Sequence, residues 1–268
     1  MNNRPDWLII EDQAEYHART RRGEYLSSHM LKDFMKCPRL YQMKLTGEVV
    51  DEDKPSYALG RSAHCLILEG REAFDHEFTV DEPVNPKTGK AYGPDSQAYQ
   101  LWAATQTKEI VRPADYEQVK ILFNAVQRHA EAMKLIDGGF PEAVVRAEYC
   151  GVPCQIRMDK FHPDRGIIDL KTCDDVDFFP FDAKKYGYWS QMAFYWDIVL
   201  QVSRIRYPFY IIAVEKKAPW RVRVDRLVED DLVSTVMENQ AGIRRLRECK
   251  AAGLWPTNYE RVGYLSRS

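Results

Sequence analysis

The chain has 268 residues, 38 Lys plus Arg against 40 acids, a net charge of −2 and 45% hydrophobic residues. That is enough for one large domain or two small ones, with a sizeable core. The near-neutral balance speaks against a sequence-blind, charge-driven coat on nucleic acid, and leaves open an enzyme with a local basic groove.

No apolar stretch of signal-peptide length opens the chain, since "WLII" is too short. The strongest apolar run, "YPFYIIAV" (207–214), falls far below the ~20 residues a bilayer-spanning helix needs. The expectation is no membrane association, a cytoplasmic location and reduced cysteines at 37, 65, 150, 154, 173 and 249.

In chain order, Ser27 or Ser28 can cap a helix from Met30 to Lys36, which Pro38 interrupts and Arg39–Leu45 resumes. "SYALGRSAHCLILEG" reads as a buried helix, with Ser56 as a possible cap and Gly70 as its stop. Leu59, Ala63, Leu66 and Gly70 share a stripe, and His64 lies beside it. "DEPVNPKTGKAYGPDSQ" is an exposed loop. Helices are expected over about 95–107 and 113–136, ended by Gly138 and Gly139.

Three successive strands follow, "AVVRAEYC", "VPCQIRMDKF" and "RGIIDLKTC", with turns at "GV" and "HPD". A long helix covers about 182–202, two strands ("IRYPFYIIAVE", "RVRVDRL") flank the hairpin loop "KKAPW", and a polar helix spans about 229–252. The fold class is α/β (α+β): a mixed central β-sheet flanked by helices. It is read as a single domain, residues 1–268: a mainly helical part to 140, a sheet-and-helix part over 141–226, and a C-terminal helix and tail from 227.

Acid-x-Lys triplets occur at Glu52/Lys54, Asp169/Lys171, Asp182/Lys184, Glu215/Lys217 and Glu248/Lys250, so the triplet alone is weak. The surroundings single out 169/171. Asp159 and Asp169 are equidistant from Asp164, which in a simple hairpin places them nearly opposite. Two close carboxylates repel, and a divalent cation such as Mg²⁺ or Mn²⁺ relieves this. The alternative is two solvated acids flanking a turn.

Lys171, on the same strand face as Asp169, could steady charge on a phosphate or position a water, or simply pair with Asp169. Gln191 and Tyr195 share a helix face and could touch substrate or merely mark a helix edge. His64 is either a satisfied core histidine or a further metal ligand.

The ordered set Gly60-x-x-x-His64, Asp159, Asp169-Leu170-Lys171 and Gln191-x-x-x-Tyr195 resembles the PD-(D/E)xK nuclease superfamily, most of all its RecE-type (exonuclease VIII) and λ-exonuclease-like branch. "LKDFMKCPRLY", "CQIRMDKF" and "IDLKTCDDVDFF" add to the likeness, which spans roughly residues 25–225. The family's leading Pro is absent, and Met158 precedes Asp159.

The resemblance implies a restriction-endonuclease-like core behind an N-terminal helical region. It implies metal at Asp159, Asp169, the Leu170 carbonyl and His64, with Lys171 assisting the water and Gln191 and Tyr195 orienting groups around it. The implied activity is Mg²⁺-dependent hydrolysis of duplex DNA, 5′-to-3′ from an end, with Mn²⁺ substituting. A homo-oligomeric ring and a single-strand annealing partner in phage-type or bacterial recombination follow from the same likeness. An endonuclease or repair nuclease on the same core, and a nucleic-acid-binding module without chemistry, are the competing readings.

Cys150 and Cys154 bracket "GVP", but a closed zinc site needs four ligands. Some relatives hold an iron–sulfur cluster with a tight C-terminal cysteine triplet; here Cys249 stands alone late in the chain, so no cluster is expected. "RTRR" (19–22), Lys184/Lys185 and "RRLRECK" (244–250) are candidate phosphate contacts or solvated faces. Trp102, Trp189, Trp196, Tyr186 and Tyr188 are candidate base-stacking groups, with core packing favoured for Trp189 and Trp196.

Overall fold

A computed structural model describes residues 4–51 and 55–263, without the side chains of residues 55 and 56, so the Glu52/Lys54 triplet and the Ser56 cap lie outside the described residues. Three short helices open the fold: α1 (Gln13–Arg21), α2 (Ser28–Lys36) and α3 (Pro38–Leu45). Ser27 caps α2, its Oγ accepting the Met30 N–H. Cys37 is extended before Pro38, which ends α2, and its Sγ then caps α3 at the Leu40 N–H.

α4 (Pro55–Leu68) buries Ala63, Cys65, Leu66, Ile67 and Leu68. α5 (Arg71–Glu77), β1 (Phe78–Val80), α6 (Gln97–Ala103) and β2 (Glu109–Val111) follow, and β1 pairs with β2 in parallel. The sequence did not announce α5 or this small sheet, whose strands are three residues each. The helix expected over 95–107 is only α6, capped by Ser96. The helix expected over 113–136 divides into α7 (Pro113–Gln127) and α8 (Ala130–Ile136). The break has a local cause: the His129 imidazole accepts the Ala132 N–H and starts a new helix.

β3 (Phe140–Tyr149), β4 (Val152–His162) and β5 (Gly166–Cys173) form an antiparallel run. The first turn is Cys150-Gly151, one residue earlier than expected, because Tyr149 pairs with Val152. Both turn residues have positive φ, +52° and +73°, the requirement of a two-residue hairpin whose twist matches its strands. α9 (Phe179–Lys185) and α10 (Tyr188–Ser203) replace the single helix expected over 182–202. Gly187, left-handed at φ +69°, divides them; a Cβ there would sit 3.2 Å from Lys32 Cδ. β6 (Phe209–Glu215), β7 (Val222–Arg226) and α11 (Glu229–Ala252) complete the chain.

The sheet order is β3-β4-β5-β6-β7; β5 and β6 are parallel and the other neighbours antiparallel. The mixed sheet flanked by helices is therefore the observed architecture. Side chains divide by the two-residue period. Ile167, Ile211 and Ala213 join the core under α2, α10 and α11, whereas Ile168, Leu170, Ile212 and Val214 join the core under α4 and α7. Asp169 and Lys171, in phase with Ile167, emerge on the α10 side. α9 and α10 form the crossover between parallel β5 and β6, so they pass back over that face. Among the described residues, no helix is long and apolar enough to cross a membrane.

Candidate active site

The alternation on β3 and β4 slips at one level. Ala143 and Val145 of β3, and Cys154, Ile156 and Met158 of β4, enter the α10-side core. A strict period of two would send Pro141 and Lys160 there next. Instead Phe140 and Phe161 take the inward places. Lys160 turns the other way and donates from Nζ to the Leu68 carbonyl at 2.9 Å. Between the paired residues Pro141/Lys160 and Ala143/Met158 stand Glu142 and Asp159, and Glu142 holds φ +49°. Matched irregularities of this kind re-aim side chains, and they recur beside active sites.

The slip frees Asp159 from the sheet. The β4–β5 ladder runs from His162/Gly166 to Lys160/Ile168 and stops there. Beyond it, the Leu170 N–H donates to Asp159 Oδ2 at 2.8 Å, a side chain taking the place of a strand carbonyl. The register is the one symmetric about Asp164, so Asp159 arrives beside Asp169 as the spacing implies.

His64 reaches the same carboxylate from α4, with Nδ1 3.5 Å from Asp159 Oδ2. The Lys160–Leu68 bond fixes that approach, since a cation on the last carbonyls of a helix both caps it and matches its dipole. Burial lowers the His64 pKa, with Asp159 and the nearby Leu170 backbone pulling the other way. His64 is thus a neutral imidazole at neutral pH.

Asp169 is 1% exposed. Lys171 Nζ lies 2.5 Å from its Oδ2, yet neither oxygen has a well-directed hydrogen bond. Burial raises the Asp169 pKa, Lys171 counters it, and Asp159 adds to the rise. Burial would lower the Lys171 pKa, but Asp169 and then Asp159 outweigh it and hold the ammonium above the ordinary lysine value. The ammonium also sits 5.4 Å from the Tyr188 ring centre, a cation–π contact. Gln191 donates to the Tyr195 hydroxyl at 3.3 Å. Tyr195 is buried near both acids, its pKa raised first by that burial. Among the described residues these two bond to each other, not to the acids or Lys171.

The cleft beside this cluster measures about 1140 Å³, and Asp169, Lys171, Gln191 and Tyr195 lie behind its lining residues. Asp159, His64, Tyr188, Arg157, Glu142 and Lys32 are among its lining residues. Most of its cations are already paired: Arg157 with Glu142 at 2.9 Å, Arg61 with Glu109 at 2.8 Å, Lys44 with Asp33 at 2.8 Å, Lys216 with Asp174 at 2.9 Å. Lys32 makes no ion pair among the described residues.

Arg157, Glu142, Tyr188 and Lys32 also line the cleft, and none of the four carries a motif signal as a site residue in the sequence. Arg157 was findable, two residues before Asp159 and hence on its face. In "RTRR", Arg19 and Arg22 pair with Glu15 and Glu24, whereas Arg21 is exposed and makes no ion pair among the described residues. Trp196 is core, its indole bonded to the Tyr207 carbonyl, and Trp189 packs against the same core. Cys154 is buried, Cys150 is in the turn, and all six thiols are free.

The donor set suits a hard divalent cation: two carboxylates, a carbonyl and one imidazole. The test on this structure is Asp169. The Lys171 ammonium sits against its Oδ2, while its buried Oδ1 has no partner among the described residues, and a cation at that oxygen would remove the cost of leaving it bare. Among the described residues no three His, Cys, Asp or Glu side chains are grouped so that they alone could hold a metal ion.

No curated protein matches the chain. A crystal structure from Eubacterium rectale, described as a "Putative exonuclease", matches with a TM-score of 0.68 at 19% identity, covering 97% of each chain. That likeness is one of fold. A family model described as "PDDEXK-like domain of unknown function (DUF3799)" matches residues 27–268. With nearly the whole chain inside that match, and with the acid, acid-x-Lys and histidine positions gathered at one kink, the protein belongs to this PDDEXK-like family within the PD-(D/E)xK nuclease superfamily.

Proposed function

We propose that the protein is a metal-dependent DNA exonuclease of the RecE-like type, acting 5′-to-3′ on linear duplex DNA in phage-type or bacterial recombination. The observation that carries the reading is the convergence of His64, Asp159, Asp169, the Leu170 backbone and Lys171 at the slip in the sheet. The fold shared with the Eubacterium rectale protein supports it.

Asp159, Asp169, the Leu170 carbonyl and His64 would hold Mg²⁺, or Mn²⁺ in its place. When bound, the ion polarises the scissile phosphate and lowers the pKa of its water. Lys171, kept protonated by the neighbouring acids, would steady negative charge developing on the phosphate. Tyr188 and Asp169 fix where its ammonium points. His64 stays neutral and therefore available as a donor to a cation. Gln191 and Tyr195, bonded to each other on α10 beside the acids, would orient groups at the site. A homo-oligomeric ring, a single-strand annealing partner and a cytoplasmic setting belong to the same proposal.

The test is degradation of end-labelled linear duplex against covalently closed circles, in Mg²⁺ and in EDTA. Label release from linear duplex alone, in Mg²⁺ alone, supports the reading. Equal rates on closed circles overturn the exonuclease assignment, and full activity of Asp159→Asn overturns the metal site.

A further inference from the structure

α9 presents an unusual outer face. Its inner side is anchored by buried Phe179 and Ala183. Its outer side exposes Phe178 at 66% and Phe181 at 67%, with Lys184, Lys185 and Tyr186 beside them. Phe178, Phe181 and Lys185 are three and four residues apart, so they form one stripe. Two exposed phenylalanines on one short helix are costly in water unless something covers them.

The stripe is continuous with the cleft. The Tyr186 ring lies 6.0 Å from the Tyr188 ring, which lies 6.1 Å from Phe179 and under the Lys171 ammonium. Tyr186, Tyr188, Phe179 and Asp182 all line the cleft. An aromatic path thus runs from the outer face of α9 to the acid–lysine pair.

The charge on this face is cationic. Neither Lys184 nor Lys185 meets a carboxylate among the described residues, and Lys185 Nζ sits 5.2 Å from the Tyr186 ring centre. Of the nearby acids, Asp182 turns to the cleft and Asp175 and Asp177 are taken up by Arg221. Flat aromatic faces alternating with unneutralised ammonium groups match a chain of stacked bases on a phosphate backbone. They match a second copy of the same face poorly, since like lysines would meet.

We infer that the outer face of α9 is a docking surface for an unpaired nucleic-acid strand, with bases on Phe178, Phe181 and Tyr186 and phosphates at Lys184 and Lys185. The inference rests on the nuclease reading for its meaning: it makes the substrate a duplex end whose one strand is led past Tyr186 toward Lys171.

The experiment measures binding of fluorescein-labelled (dT)₁₂ and of a blunt duplex by the full chain in EDTA, where cleavage is absent. Phe178→Ser/Phe181→Ser should weaken (dT)₁₂ by about tenfold or more and the blunt duplex far less. Lys184→Glu/Lys185→Glu, which disturbs no packing, should flatten the salt dependence of (dT)₁₂ binding by about 1.4 in log–log slope. Unchanged (dT)₁₂ affinity in both variants overturns the surface. So does a drop in sedimenting mass in the phenylalanine variant, which would make the face a subunit contact. Because the readout needs no turnover, failure of wild-type protein to cleave linear DNA would remove the proposed function and leave this result standing.

Discussion

The Leu170 N–H is satisfied by the Asp159 carboxylate at 2.8 Å, not by a strand carbonyl. One acid therefore does two jobs: it closes the sheet where the ladder stops, and it faces the cleft beside His64. Its charge and its hydrogen bond can be separated by substitution. Asp159→Asn keeps an oxygen for Leu170 and should melt within about 1 kcal/mol of wild type, while losing divalent-dependent cleavage. Asp159→Ala strands the Leu170 N–H and should cost about 1–3 kcal/mol besides. Urea titrations of the two variants, with cleavage assays on the same samples, check the difference.

Lys171→Ala removes the partner of a carboxylate that is 1% exposed. Cleavage should fall by about 10²-fold or more, with DNA binding largely kept. The stability cost depends on pH, and the sign is fixed. Burial already holds the Asp169 pKa above its ordinary 3.8, so the native state binds this proton more tightly than the unfolded chain does. Without Lys171 that rise is larger, and stability falls as pH climbs from about 4 toward neutrality and beyond. Denaturation at pH 5 and pH 8 should show a small deficit at the lower pH and about 3–5 kcal/mol at the higher. A deficit independent of pH would contradict the buried-pair account.

Tyr188 supports the Lys171 ammonium through its ring face, so Tyr188→Phe should leave turnover nearly intact. Tyr188→Leu should reduce kcat by about two- to thirtyfold with little change in KM, the range a cation–π contact commands. Steady-state kinetics on linear duplex separates the two parameters.

Glu215 binds Arg221 and the Val176 N–H, tying the segment before α9 to the end of β6. The Arg221 hydrogen bond, aided by the backbone donors, holds its pKa down to about 2 from 4.5. A depressed carboxylate stabilises the fold above its unfolded pKa and stops doing so as pH falls through the folded one. Glu215→Gln should therefore be less stable than wild type at pH 7, and the two thermal curves should converge between about pH 4.5 and 2.

The mixed sheet, the five main strands and α11 were legible because alternation and turn residues agree there. The meeting of Asp159 and Asp169 was legible from the symmetry about Asp164, and that of Asp169 and Lys171 from the two-residue period of the strand. Glu142 was not, and the reason is specific. A turn set at Gly151-Val152 puts Val144 opposite Asp159; the observed Cys150-Gly151 turn puts Glu142 there. The error arose because a non-glycine, Cys150, accepts the left-handed conformation. The division of 182–202 into α9 and α10 was hidden likewise, since one glycine in an apolar helix pattern is often tolerated. Tyr188's place over Lys171 depends on that division and could not be read without it.

The crossover from β5 to β6 has a consequence for how the site comes into being. Asp159, Asp169, Lys171, Tyr188, Gln191 and Tyr195 all lie within one hairpin and the helices that immediately follow it. Only His64 is brought from a distant segment, by the docking of α4. The acids and the amine can therefore meet as soon as neighbouring stretches of chain condense, whereas the imidazole waits for remote parts to arrive. Readiness to receive a cation would then report late, long-range assembly, even when the hairpin half is already in place.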